Sequence, residues 1–323
     1  MMKVKIHKTK PVGELVNGHI WAREAGKPLY AIPVEGEPEH PMRVNIGRVM
    51  GKNVDKIEYA EGNVLAYVGR ARVYLPAKEE TNYREYPPTE GVPLDINVDA
   101  LKTLLPAAAT EEYSAVFRGV QFEPDGTCVA TDGFRLHLAK ECFTLGDNSP
   151  LKRNVVINAK HLKAIYKSQL TWVDHPKWPV FGEAHGVKVY AEALEGVFPD
   201  YMRLVATPEK ERAELPPIKE WSPVDALTDA KQAGAAFIRW TPSKTILYDS
   251  LNGGVGETIG TLDIRSPFDT DVQFDLRYLM EAVAHVGEDA KVFTLNPGEY
   301  HVSGFTLESS DSLKYAVVMP MRI

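Results

Sequence analysis

The chain has 323 residues, 44% of them hydrophobic and 25% charged, enough apolar material for real cores and a length suited to about two domains or three small ones. A formal net charge of −7 excludes a generally basic surface, so any contact with DNA has to come from a local basic stripe. No apolar run approaches the ~20 residues of a membrane helix, the basic start "MMKVKIHKTK" lacks the apolar stretch of a secretory signal, and the only cysteines, Cys128 and Cys142, are too few for a disulfide framework, so a reducing cytoplasm fits.

In chain order, the first stretch offers no convincing amphipathic helix, because "PVGELVNGHIW" is short and broken by glycines. "RVNIGRVMGKNV" predicts a short strand and a short helix that carries Arg48 and Lys52. "KIEYAEGNVLAYVGRARVYLP" predicts a hairpin-like pair of strands, and "REYPP" closes the piece. Breaks rich in Pro, Gly and Glu come next at 86–94 ("YPPTEGVPL") and again at 206–218 ("ATPEKERAELPPI"). Repeated prolines continue neither a helix nor an inner strand, so both breaks read as linkers. They divide the chain into 1–94, 95–206 and 207–323, each the size of a small domain.

The middle piece opens with "INVDALKTLLPAAA", a predicted helix after an Asn97 cap, with Lys102 on it. "YSAVFRGVQFEPDGTCVATDGFRLHLAK" then alternates apolar and polar residues around a Pro-Asp-Gly turn, a hairpin signal. In "VVINAKHLKAIYKSQL" a strand leads into a helix on which Lys160, Lys163 and Lys167 share one face at i, i+3 and i+7, with no acid from Asn158 to Leu170. In an acidic protein that face is a candidate for phosphate, against the plainer reading of a solvated polar face. "GVKVYAEALEG" and "FPDY" complete the piece.

In the last piece, Ser222, Pro223 and Asp225 are the cap, first-turn proline and early acid of a helix. "AAFIRWTPSKTILYD" comes after it as two strands, "VQFDLRYLMEAVAHVG" as a strand and a helix, and "AKVFTLNPGEYHVSGFTLES" as a hairpin. The end, "YAVVMPMRI", is a β-branched strand stopped by Pro320. A core strand accounts for the valines but leaves Met319 and Met321 without a reason. The second halves of the three pieces share one order of strand, short helix, strand pair and aromatic–proline close, which predicts a repeated unit. The expected class is α+β, with two helices on antiparallel strands in each of the last two pieces and a reduced first piece.

Little here suggests an active site. "LNGGVGETIG" at 251–260 lacks the spacing of a dinucleotide fingerprint and the Lys-Ser/Thr of a phosphate loop. Asp174, His175 and His137 have no second histidine at ligand spacing, and "TDG" at 131–133 is first of all a turn. The expectation is no catalytic residue, no metal and no cofactor.

"VATDGFRLHLAK", "EGVFPDYMRLV" and the terminal "YAVVMPMRI", in this order, resemble the bacterial DNA polymerase III β subunit, the sliding clamp. The resemblance covers about residues 95–323 well and 44–94 more loosely. It implies a homodimeric ring of six similar domains, with helices lining a hole for double-stranded DNA and sheets outside. A clamp loader opens such a ring, a replicative polymerase is tethered to it in the nucleoid of the cytoplasm, and no catalysis is involved. Lys160, Lys163 and Lys167, with Arg48, Lys52 and Lys102, would face DNA without reading its sequence.

The resemblance further implies a hydrophobic cleft that takes a short peptide from each partner. Its lining, carried over by motif, would be Thr131, Gly133, Phe134, Arg135 and Leu136 with Val317, Val318, Met319, Pro320, Met321 and Arg322, and Tyr278 beside them. Flexible methionines suit a cleft that repacks around different guests. Three departures stand out: Phe134 replaces the family's usual histidine, Ala206 stands where a proline commonly follows F-P-D-Y, and the first domain lacks a helix. The last departure raises a second reading, a monomeric decoy for clamp-binding peptides. A nucleotide-binding enzyme using the 251–260 loop ranks third.

Overall fold

The computed structural model describes residues 2–3, 12–23, 25–80, 84–110, 114–146, 151–184, 186–205, 212–221, 223–249, 256–264, 266–267, 271–295 and 304–321. Helices are few and antiparallel strands many, as the α+β reading requires. The chain divides into two compact units, residues 1–96 with 144–194 and residues 97–143 with 195–323.

Unit one is built on an antiparallel sheet. Its neighbouring strands are Ala77–Glu79, Met42–Asn45, Val12–Val16, His19–Arg23, Leu29–Pro33, Val187–Ala191, Val180–Ala184, Leu170–Trp172 and Val92–Ile96. "PVGELVNGHIW" is a hairpin within it: Val16 faces His19, and Asn17 and Gly18 turn the chain at φ 49° and 68°. Such a pair matches the twist of the flanking strands, and the Asn-Gly dipeptide was its sequence signal. A second sheet joins Lys56–Ala60, Asn63–Val68 and Ala71–Leu75, with Ile57, Val64, Ala66 and Leu75 buried.

The helix expected at Arg48 and Lys52 is not formed. Val49 N–H reaches Ile46 O at 3.0 Å and Lys52 N–H reaches Val49 O at 3.1 Å, giving two tight turns instead of a helical ladder. Gly51 sits at φ 72°, and glycine at 47 and 51 makes a helix here costly. Arg48 and Lys52 are therefore exposed residues of a turn. The expected helix at Asn158 is present as Ala159–Ile165, capped by Asn158 and burying Leu162 and Ile165. It stops at Ile165, where Ser168 donates both its N–H (2.8 Å) and its hydroxyl (2.7 Å) to Ile165 O. Lys167 thus lies beyond the helix, and the i+7 argument does not reach it.

In unit two, Gly119–Phe122, Cys128–Thr131, Arg135–Ala139, Lys314–Val318, Phe305–Glu308, Lys291–Leu295 and Arg212–Leu215 are successive neighbours in a sheet. The strand at 212–215 lies inside the expected linker 206–218, just as Val92–Ile96 overlaps the end of 86–94. A smaller sheet orders Thr258–Leu262, Thr245–Tyr248, Phe237–Trp240 and Val272–Asp275. The helices Val98–Leu104, Val224–Gln232 and Leu276–Val286 bury Leu101, Leu227, Leu279 and Val283. Asn97 caps the first of these as expected, accepting Ala100 N–H at 3.0 Å.

The Val224–Gln232 helix differs from expectation. Its cap position is Pro223, without a side-chain bond, and Glu288 accepts Val224 N–H at 2.9 Å instead. Ser222 lies outside the described residues, as do 251–255 of the glycine-rich stretch. Cys128 and Cys142 are free and buried, and burial pushes the Cys128 thiol up. Among the described residues no helix is long and apolar enough to cross a membrane.

Both histidines weighed for chemistry, His175 and His137, make hydrogen bonds within the fold. His175 Nδ1 accepts the N–H groups of Lys177 (3.2 Å) and Trp178 (3.1 Å), closing a turn. His137 and His285 stack in the core of unit two with ring centroids 4.7 Å apart and 5° between planes. His137 Nδ1 bonds Thr103 O, and His285 bonds Thr103 Oγ1 and Leu138 O, each at 2.9 Å. Burial holds both imidazoles below their ordinary value, His285 at about 4.

Candidate functional site

The end of the chain is stitched into unit two at two places. Lys314–Val318 pairs with Arg135–Ala139, Arg135 opposite Val318 and Leu136 opposite Val317. Pairing continues one residue further, where Met319 N–H donates to Phe134 O at 2.9 Å. Pro320 has no N–H to extend the ladder. Met321 then turns to a different strand, donating its N–H to Gln273 O at 2.8 Å. Met319, Pro320 and Met321 are held at both ends and left half-buried.

A tight turn at residues 131–135 adjoins this segment. Asp132 Oδ1 accepts the N–H groups of Phe134 (2.9 Å) and Arg135 (3.0 Å), while Thr131 Oγ1 donates to Arg135 O (2.6 Å) and accepts from Gly133 N–H (3.1 Å). Gly133 takes φ 91°, a conformation in which side chains are strained. With its backbone fixed on both sides, Phe134 stands 54% exposed, an uncovered aromatic on an otherwise well-packed sheet.

At the end of that turn sits a buried cation. Arg135 is 5% exposed, with Asp132 Oδ2 3.2 Å from its Nε. It also donates to Glu281 and to Pro106 O, and its guanidinium lies 4.1 Å from the Tyr278 ring centroid. Burial lowers the Arg135 guanidinium from its ordinary value, and the Asp132 carboxylate opposes that. Arg277 approaches the same ring at 5.0 Å, so two guanidinium groups lie close to half-buried Tyr278. Its place on the Leu276–Val286 helix is set by Asp275, whose Oδ1 accepts Arg277 N–H (2.8 Å) and Tyr278 N–H (3.2 Å).

The structure thus brings Thr131, Gly133, Phe134 and Arg135 together with Met319, Pro320, Met321 and Tyr278. Leu136, Val317 and Val318 are buried beneath them. Strand alternation sends Val318 to the side of the Leu276–Val286 helix, and Leu136 and Val317 to the other. Thr306, opposite Val317, bonds Leu204 O at 3.3 Å on that second face. Arg322 lies outside the described residues. Sequence reasoning missed Gln273, Glu281 and Pro106, which hold the site from behind; tertiary partners far along the chain leave no local pattern to find.

The predicted basic residues lie on separate elements. Lys160 and Lys163 are exposed on the Ala159–Ile165 helix, and Lys167 comes just after it, its Nζ 5.7 Å from the Tyr166 ring. Arg48 donates to Tyr74 O at 2.7 Å. Lys102 is exposed in the last turn of the Val98–Leu104 helix.

No protein-family model matches the chain, and no curated protein matches its sequence. Solved structures match over nearly its whole length. The beta subunit from DNA polymerase of Streptococcus pyogenes is 18% identical, with TM-score 0.61, over 99% of this chain and 95% of that one. The DNA polymerase III subunit beta from Pseudomonas aeruginosa is 16% identical, with TM-score 0.64, over 99% and 95%. The Helicobacter pylori beta clamp bound to a DNA ligase peptide is 12% identical, with TM-score 0.61, over 97% and 91%. The chain has the fold of the bacterial DNA polymerase III β subunit, the sliding clamp.

Proposed function

We propose that the chain is a DNA sliding clamp, a non-catalytic processivity factor that encircles double-stranded DNA as a homodimer and tethers a replicative polymerase through a peptide cleft. The observation that carries this reading is the doubly anchored Met319–Met321 segment beside exposed Phe134, in a chain whose fold matches clamps along its length. An apolar site fixed by backbone bonds but lined by flexible methionines suits weak exchange among guests. The H. pylori clamp bound to a ligase peptide supports the same use of the fold. Residues 1–94, 95–206 and 207–323 are then three clamp domains, and Lys160, Lys163, Lys167, Arg48, Lys52 and Lys102 are the DNA-facing cations.

Two sheet edges support ring closure. Among the described residues Ala71–Leu75 and Thr258–Leu262 pair on one side only, with Tyr74 61% and Ile259 41% exposed. Open edges of this kind accept a strand from another chain. A loader would open that closure.

The test is binding of a fluorescent peptide carrying a replicative polymerase's clamp-binding segment. Met319→Ala with Met321→Ala is expected to weaken it at least tenfold, about 1.4 kcal/mol, without lowering the melting temperature. Unchanged affinity would remove the cleft assignment. Light scattering tests the ring, for which twice the 35.9 kDa of one chain is expected. A persistent monomer would turn the reading to the peptide decoy.

A further inference from the structure

Unit one holds a cavity of about 750 Å³ at the closed end of the Asn17–Gly18 hairpin, between residues 37–41 and 84–86. That volume falls in the range of ligand sites. One aromatic side chain in the largely polar lining is held in place. Tyr86, which lines the cavity, stacks on Trp21 with centroids 4.7 Å apart and 8° between planes. Its hydroxyl donates to Glu14 Oε2 at 2.7 Å, and the same oxygen accepts Arg84 N–H at 3.3 Å. Trp21 Nε1 is fixed in turn by Val16 O at 3.2 Å. The phenol's proton is committed to Glu14, which leaves its oxygen only an acceptor's role toward a guest.

Three carboxylates, Glu37, Glu39 and Glu85, line the same cavity against one cation, Arg84. All four side chains are exposed, and none has an ion pair or a side-chain hydrogen bond among the described residues. Glu14 is occupied by Tyr86, so its charge adds to the field without using up a guest's donors. Like charges gathered around one concavity give it a negative potential. Such a field rejects phosphate and carboxylate ligands. An aromatic face beside carboxylates is the setting that accepts an ammonium or guanidinium group.

The geometry points to a second docking site, separate in kind from the methionine cleft, that takes a lysine- or arginine-bearing extended peptide of a partner protein. Its cationic head would sit among Glu37, Glu39 and Glu85, and its aliphatic stem along Tyr86. The volume exceeds one side chain, and proline at 38 and 41 stiffens the rim, which fits a peptide better than a lone metal ion. This site does not depend on the clamp reading.

The probe is a fluorescein-labelled, end-blocked peptide of sequence Lys-Arg-Leu-Lys-Arg, titrated with the full chain and read by anisotropy. Its glutamate counterpart, Glu-Glu-Leu-Glu-Glu, is the comparison. Because the whole protein is acidic, two variants with the same loss of charge are needed. One is Glu37→Gln, Glu39→Gln and Glu85→Gln; the other is Glu61→Gln, Asp95→Asn and Glu183→Gln, exposed residues of the same unit outside the cavity. The expected result is tenfold or greater weakening in the first, less than twofold change in the second, and no binding of the glutamate peptide. Equal weakening in both variants, no weakening in the first, or no binding by the unaltered protein would each overturn the site.

Discussion

Three strands end in the same way and only two of them continue as helices. Met42–Asn45, Val155–Asn158 and Val272–Asp275 each finish on Asn or Asp, and each of those side chains accepts backbone N–H groups just ahead of it. Asn158 takes those of Lys160 and His161, and Asp275 those of Arg277 and Tyr278. Asn45 takes only Gly47, at 3.0 Å, and the chain then makes two turns and stops. The cap is therefore common to all three, and the residues after it decide the outcome. "AKHLKAI" and "LRYLMEAVAHV" supply good helix formers with apolar residues at helical spacing, whereas "IGRVMGK" places glycine at both ends of a single would-be turn. A capping side chain starts a helix but does not sustain one, since most helical stability comes from the packed face.

The comparison can be broken most forcefully at that packed face. Leu279 is fully buried, and Leu279→Ala should cost about 2–5 kcal/mol in urea unfolding. Val49→Ala, equally buried in the turn, removes fewer methyl groups and should cost about 1–2 kcal/mol. Equal losses would mean that the turn is as deeply built in as the helix.

Acid separates the regions next. His161 and His285 are buried on the two helices and their pKa values are lowered by burial, His285 from 6.5 to about 4. A folded pKa below the unfolded one means that the unfolded chain binds protons first. The stability is then fully present above pH 6.5 and lost as pH falls toward 4. At 1.36 kcal/mol per unit, His285 contributes about 3 kcal/mol of that loss. In urea melts at pH 7 and pH 4.5, His285→Gln should lose less stability between the two than the unaltered chain; an equal loss would assign the acid sensitivity elsewhere.

The caps give the smallest effects. Asp275→Ala and Asn158→Ala should each cost about 1 kcal/mol. Asn45→Ala, which frees a single N–H in an exposed turn, should cost only a few tenths. If all three cost the same, the helices add nothing to the value of their caps.

The same residues explain how much of the fold could be read in advance. Helices with a cap, an apolar face and no internal glycine were legible, as were the Pro-Asp-Gly hairpin and the terminal strand. Asn17-Gly18 carried an equally plain hairpin signal, hidden because the glycines at 13 and 18 make the stretch look merely broken. The strand Arg212–Leu215 was hidden because prolines at 216 and 217 made its surroundings read as a linker. In the candidate site, the residues alone read as a turn at 131–133 and a core strand at the end, and Thr131–Arg135 and Met319–Met321 were named as a cleft only through resemblance to family motifs. The groups that secure them were not: Gln273, Glu281 and Pro106 reach the site through tertiary contacts that no spacing records.

Arg135 also sets how the site responds to salt. With Asp132, Glu281 and Pro106 O around its guanidinium, its charge is already used inside the protein, and apart from exposed Arg277 beside Tyr278 the groups a guest would meet are aromatic and thioether. Ionic strength therefore has less to act on there, because salt screens exposed charges far more than buried ones. Lys160 and Lys163, standing in solvent, are open to that screening. Raising salt should loosen whatever the lysines hold while leaving a guest at the methionine rim in place, so that one simple variable tells the two kinds of attachment apart.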